Sequence, residues 1–278
     1  MASVIAALCL HGAAVHAGGD ALEGHSFSVA SSEQWRLPDK LNEISGLALT
    51  TDARLLAITD EAAIVYELDF TQGRLVKAFA LGDPTLRGDF EGIAYSDGRV
   101  WLMTSNGVIF ESPEGEDGER VSFEEYPTGL DKYCELEGLA FRQEDRVLLL
   151  LCKKIKKKSG LEGLGIFAWS TTTREVDRTK TIMLPDRDIA AALRMNRLNP
   201  SGIAITPQTG NLLIVAARQR AVIELRADGD FLTAHELPAG AHRQAEGLEI
   251  MPTGEILVAD EGGEHKARLA IYRPARQE

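Results

Sequence analysis

Ten oxygen-bearing side chains recur in two columns of this sequence. Five stand immediately before a glycine: Ser45, Glu91, Glu137, Ser201 and Glu246. Five stand three positions before it: Glu43, Asp89, Glu135, Asn199 and Gln244. Six of the ten are carboxylates. That many like charges gathered around one axis require raised pKa values or a neutralising cation. Carboxylates, amides and water are the ligands of a hard cation such as calcium, which takes roughly six to eight oxygens. No histidine or cysteine recurs in either column, which argues against a zinc-type site. The competing reading is structural: these side chains bond backbone groups at strand starts and hold neighbouring units together.

The glycines belong to a phrase stated five times. It reads Ser45-Gly46-Leu47-Ala48-Leu49, Glu91-Gly92-Ile93-Ala94-Tyr95, Glu137-Gly138-Leu139-Ala140-Phe141, Ser201-Gly202-Ile203-Ala204-Ile205 and Glu246-Gly247-Leu248-Glu249-Ile250. Its glycines, at 46, 92, 138, 202 and 247, step by 46, 46, 64 and 45 residues. A fixed period of this size marks a repeat architecture, with an insertion of roughly 18 residues in the third unit. Each unit follows one script. The phrase is an apolar strand. A polar turn follows, for example Ser96-Asp97-Gly98 or Pro252-Thr253-Gly254. A nearly continuous apolar run comes next, such as Val147-Leu148-Leu149-Leu150-Leu151, as suits a strand buried on both faces. A third, alternating strand follows, and a polar fourth strand closes four units (74–81, 119–126, 179–184, 231–237), as an exposed edge requires.

Four antiparallel strands per unit predict an all-β fold, a single β-propeller of five blades, with six blades as the alternative. The fifth unit ends after its third strand. Residues 26–37 have no unit of their own, so they are expected to supply the missing strand and close the ring. The propeller is thus expected over 26–278, behind a loose segment at 18–25. In the third unit, Lys153, Lys154, Lys156, Lys157 and Lys158 lengthen the loop after the second strand. They read as a solvated loop, or as a contact for an anionic partner or membrane surface. A short helix is expected within 186–197 from Ile189, Leu193 and Met195, capped by Asp186.

In a propeller the first strand of each blade lines the channel, so the two columns are expected at one mouth. Residues two apart share a strand face, which would place both columns together. The ends of the second strands face the same mouth: Asp60 and Glu61, Ser105 and Asn106, Cys152 and Lys153, Arg218, and Asp260 and Glu261. Arg218 is a candidate contact for an anionic group. Hairpin geometry sets Cys134 opposite Cys152, a candidate disulfide, with free buried thiols or a nucleophile as rivals. His242 could reach the mouth, although a lone histidine is more often a surface or capping residue.

Residues 1–17 resemble an export signal, with an apolar run from Val4 to Leu10 and Val15-His16-Ala17 as a small-residue cleavage site. No lysine or arginine precedes the run. Export to a periplasm or cell envelope is the expectation, and it suits the two remaining cysteines once Cys9 is removed. A net charge of −12 argues against nucleic-acid binding. There is no Gly-x-Ser-x-Gly, no phosphate-cradling loop and no His-Glu-x-x-His.

The ordered set Glu43-Ile44-Ser45-Gly46-Leu47-Ala48, Asp89-Phe90-Glu91-Gly92-Ile93-Ala94, Glu135-Leu136-Glu137-Gly138-Leu139-Ala140 and Asn199-Pro200-Ser201-Gly202-Ile203-Ala204 resembles the SdiA-regulated (YjiK-like) family. Asp60-Glu61 adds to the likeness, which covers about residues 35 to 273. The resemblance implies a periplasmic or envelope-associated β-propeller with a metal in its channel and no established reaction. The chain departs from that pattern at Cys152-Lys153, where an acidic strand end is expected. Two functions follow as expectations. One is a binding or scaffold propeller with calcium at an acidic mouth. The other is a calcium-dependent hydrolase of the lactonase, esterase or phytase kind. An enzyme requires an open, wet cup, whereas a binding module has it filled by protein oxygens.

Overall fold

The computed structural model describes residues 20–185, 187–194 and 198–275. Residues 1–17, where an export signal is expected, and Asp186 and Met195 of the expected helix lie outside the described residues.

Strand β1 (Ser32–Arg36) stands apart in sequence. Blade one is β2 (Ile44–Leu49), β3 (Leu55–Thr59), β4 (Ile64–Asp69) and β5 (Arg74–Leu81). Blade two is β6 (Phe90–Ser96), β7 (Arg99–Thr104), β8 (Val108–Pro113) and β10 (Glu124–Pro127), with β9 (Arg120–Val121) between the last two in sequence. Blade three is β11 (Cys134–Arg142), β12 (Val147–Ile155), β13 (Leu164–Ser170) and β14 (Val176–Leu184), followed by the helix α1 (Arg187–Ala192). Blade four is β15 (Gly202–Ile205), β16 (Leu212–Ala216), β17 (Ala221–Leu225) and β18 (Phe231–Glu236). Blade five is β19 (Ala245–Ile250), β20 (Ile256–Asp260) and β21 (Arg268–Tyr272), completed by β1, which pairs antiparallel with β21 over five residues. Five blades, not six, complete the ring, and the N-terminal strand closes it.

The double-sided burial has a direct cause. Alternate residues of each second strand enter different inter-blade cores. Leu55 and Ala57 pack between blades five and one, while Leu56 and Ile58 pack between blades one and two. Leu148 and Leu150 pack toward blade two, while Leu149 and Leu151 pack toward blade four. A strand sandwiched between two sheets needs apolar residues at both parities, so its sequence loses the alternation of a surface strand.

Three expectations require correction. The polar stretch 119–126 is not one strand: β9 pairs in parallel with β5 of blade one, and only β10 closes blade two. Val121 is buried at that junction, which draws β9 away from its own blade. Residues 20–25 are not loose. Leu22 is buried, and the backbone N–H groups of Ala21 and Leu22 donate to the Glu224 carboxylate at 2.9 and 3.1 Å. The lysine-rich stretch is not all loop, since β12 continues through Lys153 and Lys154 to Ile155. No helix among the described residues is long and apolar enough to cross a membrane.

Candidate metal centre at the channel mouth

A β-bulge recurs at the residue before the glycine. In blade one Ile44 pairs with Thr59 and Gly46 with Ile58, so Ser45 is the extra residue. The same skip falls on Glu91, Glu137 and Glu246. In blade four the strand begins at Gly202 itself. A bulge re-aims the side chain it carries and breaks the two-residue alternation. The two columns therefore part, contrary to the parity argument. Glu91, Glu137 and Glu246 converge, with one carboxylate oxygen of each within 4.8 Å of the others. Glu43, Asp89, Glu135 and Gln244 are left in a more exposed outer tier.

The glycines make that convergence possible. A Cβ on Gly92 would lie 2.6 Å from Leu139 Cβ, and one on Gly202 would lie 2.4 Å from the Glu246 carbonyl oxygen. The corresponding contacts run from Gly46 to Ile93, from Gly138 to Ile203 and from Gly247 to Leu47. Each glycine thus touches the innermost strand of the next blade, all the way round the ring.

Among the described residues one side-chain cation, Lys153, is bonded to the triad. Lys153 Nζ donates to Glu137 Oε1 and lies 3.9 Å from Glu135 Oε1. The extension of β12 carries Lys153 inward, so this lysine belongs to the channel rather than to a membrane-facing loop. Glu137 is 2% exposed, and its Oε2 has no hydrogen-bond partner. Ser45 Oγ, also buried, has none either. Burial, then the charges of Glu137, Glu246 and Asp89, push the Glu91 carboxyl up to about 9. Burial pushes Glu137 up to about 7 against the pull of Lys153. Glu246 is also raised, chiefly by burial. The cavity among these groups has room, about 10 Å³, for the centre of one water-sized particle. Below it Leu47, Ile93, Leu139, Ile203 and Leu248 form an apolar collar, none more than 4% exposed.

The outer tier is tied to itself. Gln244 Nε2 donates to Glu246 Oε1 at 3.1 Å and also to Glu261 Oε2. Ser105 Oγ donates to Asp89 Oδ2. Asn42 Nδ2 donates to Glu43 Oε1 at 3.3 Å. Asp60 has a buried Oδ1 without a partner, and burial followed by Glu43 and Glu61 raises its pKa. Burial followed by Glu43 pushes Glu261 up to about 8.

The remaining candidate residues have other partners or positions. Asp260 is 3% exposed and fully engaged. Its Oδ1 accepts from the N–H groups of Arg243 and Gln244 at 2.8 and 3.1 Å, and its Oδ2 lies 2.6 Å from His242 Nδ1. His242 is not at the surface: it is fully buried, with Nε2 2.7 Å from the Tyr272 hydroxyl. Asn199 meets Gln219, whose Oε1 accepts its N–H at 3.2 Å. Ser201 Oγ donates to the Ala245 carbonyl at 2.6 Å and so latches blade four to blade five. Arg218 sits exposed in the turn Ala217–Gln219, beside a groove shared with Arg194 and Arg220. Cys134 and Cys152 have Cα atoms 5.9 Å apart, a separation that a disulfide spans.

Solved structures with this architecture include the glutaminyl cyclase of Myxococcus xanthus. It has 13% identity and a TM-score of 0.58, over 87% of this chain and 94% of that one. A luciferin-regenerating enzyme is similar at 11% identity and a TM-score of 0.54, over 87% and 95% of the two chains. The PQQ-bound aldose sugar dehydrogenase of Streptomyces coelicolor matches at 13% identity and a TM-score of 0.51, over 87% and 98%. At such identities the likeness is one of fold, and a propeller hosts many chemistries. The sequence profile of the SdiA-regulated family matches residues 26–262, which take in all the innermost strands and the carboxylate triad. The chain belongs to the SdiA-regulated family.

Proposed function

We propose that this chain is an exported binding propeller whose channel mouth holds one calcium ion on Glu91, Glu137 and Glu246. The observation that carries this reading is the convergence of three carboxylates within 4.8 Å beside a buried Glu137 oxygen that has no partner. Three carboxylates and the Lys153 ammonium, all ionised, leave two negative charges, which a divalent ion balances. The donor set is all oxygen, with Ser45 and Gln244 adjoining it, and suits a hard cation completed by water. The small cavity favours the binding module over a calcium-dependent hydrolase, since little room remains for a substrate beside the ion. Recognition of a partner falls to the outer tier of Glu43, Asp60, Asp89, Glu135, Gln244 and Glu261. In the oxidising compartment that export implies, Cys134 and Cys152 are bonded.

A thermal melt in EGTA followed by calcium add-back tests the reading. At a calcium concentration about 100-fold above Kd, binding to the folded state adds about 2.7 kcal/mol. For a chain of this size that corresponds to a rise of roughly 5–10 °C. The rise should vanish in Glu137→Gln. Identical melts in EGTA and in calcium overturn the calcium site. A panel of lactones, aryl esters and phosphate esters separates the two functions: turnover lost in Glu91→Gln and Glu137→Gln would favour the hydrolase.

A further inference from the structure

The phrase that builds the ring breaks its own pattern once. Two positions after the glycine it places Ala48, Ala94, Ala140 and Ala204, but in blade five it places Glu249. This carboxylate lies beyond the apolar collar, at the opposite end of the channel from the triad. It lines a cavity of about 220 Å³ together with Tyr95, Phe141, Ile205, Pro207 and Pro252. Among the described residues no lysine or arginine lines that cavity. Glu249 Oε1 accepts the Ile250 N–H at 2.9 Å and Oε2 accepts the Leu49 N–H at 3.2 Å. A carboxylate offers about four acceptor positions, so two remain beyond these backbone bonds. Tyr95, Phe141 and Ile205 are only half-buried, which leaves an apolar and aromatic wall around one anionic group.

We propose that this far mouth is a second binding site, which takes a small organic ammonium ion with an apolar or aromatic body. The ammonium supplies the donor and charge that Glu249 lacks, and aromatic faces favour a cation beside them. The body replaces water along the apolar wall. The cavity is smaller than the roughly 300–1,000 Å³ of drug-sized pockets, so the ligand is fragment-sized. A purely structural Glu249 would serve only to tie blade five to blade one through Leu49. Glutamine at this position keeps an acceptor for that bond while removing the charge, so the two roles separate.

The test is calorimetric titration of the full chain with three probes of one shape: 2-phenylethylammonium, 2-phenylethanol and 3-phenylpropionate. The ammonium should bind about ten-fold or more tightly than the alcohol, a difference of about 1.4 kcal/mol, and the carboxylate should not bind. Glu249→Gln should bring the ammonium down to the affinity of the alcohol, while the exposed Glu162→Gln keeps the preference. EGTA should leave the preference unchanged, so this site and the calcium site can fail independently. Equal affinity for the three probes, no binding of the ammonium at millimolar concentration, or an unchanged preference in Glu249→Gln overturns the proposal. The comparison of probes on the unaltered chain decides the question even where a variant fails to fold.

Discussion

Glu249 is half-buried in the wall of its cavity, and burial pushes its carboxyl up to about 7 from an ordinary value of 4.5. Between those values the folded chain holds a proton that the unfolded chain has released. Stability on this account is full below about pH 4.5 and declines as pH rises through 7. Glu249→Gln removes that decline. The variant should be more stable than the parent at pH 8 by roughly 1–3 kcal/mol and nearly equal to it at pH 4.5, as read from urea midpoints. Equal midpoints at pH 8 would mean that the carboxylate is better solvated than its burial implies. Lys153 has the opposite role, as the only side-chain cation bonded to the triad among the described residues. Lys153→Met leaves Glu137 with neither oxygen bonded to a cation. In EGTA it should lower stability by roughly 1–3 kcal/mol. It should also enlarge the stabilisation that calcium gives, because three negative charges then await the ion. A calcium response smaller than the parent's would argue that Lys153 helps to build the site rather than competing for it.

At the scale of the element, the repeated bulge and the repeated glycine act together. In blades two, three and five the bulge turns one carboxylate toward the axis, and in every blade the glycine that follows lets the next blade approach. Gly202 is the sharpest case, because its missing Cβ would meet backbone, the Glu246 carbonyl, at 2.4 Å. No side-chain rotation relieves such a contact. Gly202→Ala should destabilise the chain by about 3 kcal/mol or more, and it should also displace Glu246 and weaken calcium binding. Gly210→Ala is the comparison: no atom lies within 4 Å of its added Cβ, and only its φ of +72° opposes the change. A urea series that ranked the two equally would show that the blades yield more easily than their packing indicates.

At the scale of the whole molecule, closure depends on the N-terminus. β1 forms the outer strand of blade five, and the preceding turn seats Leu22 among blades four and five while filling the Glu224 carboxylate. The last blade is thereby held from both ends of the chain. Removing residues 1–37 leaves β21 as an open edge and strips Glu224 of two donors. The truncated chain should unfold at lower urea and over a broader range than the parent, and should gain a tendency to associate through that edge. A truncated monomer with an unchanged transition would mean that three strands suffice for blade five.

The sequence by itself determined the propeller, the place of each innermost and second strand, and the closing role of the N-terminal stretch, while the closed ring decided five blades against six. Repeated spacing and two-sided burial are written locally, in Gly46, Gly92, Gly138, Gly202 and Gly247 and in runs such as residues 147–151. It also named all three members of the triad. It could not separate them from Glu43, Asp89 and Glu135, because strict alternation puts both columns on one face and the bulge that parts them is a matter of pairing between strands. The same limit applied to His242 and Asp260, which close on each other only when residues 18 positions apart meet beside Tyr272. Lys153 read both as a strand end at the mouth and as the head of a lysine loop, and the continuation of β12 with its bond to Glu137 decided for the mouth. Glu249 was legible as a break in the alanine column, but its meaning depends on a cavity formed by strands from all five blades. Local pattern fixes which residues recur; only closing the ring decides which of them face one another, since those distances are set between blades and not along the chain.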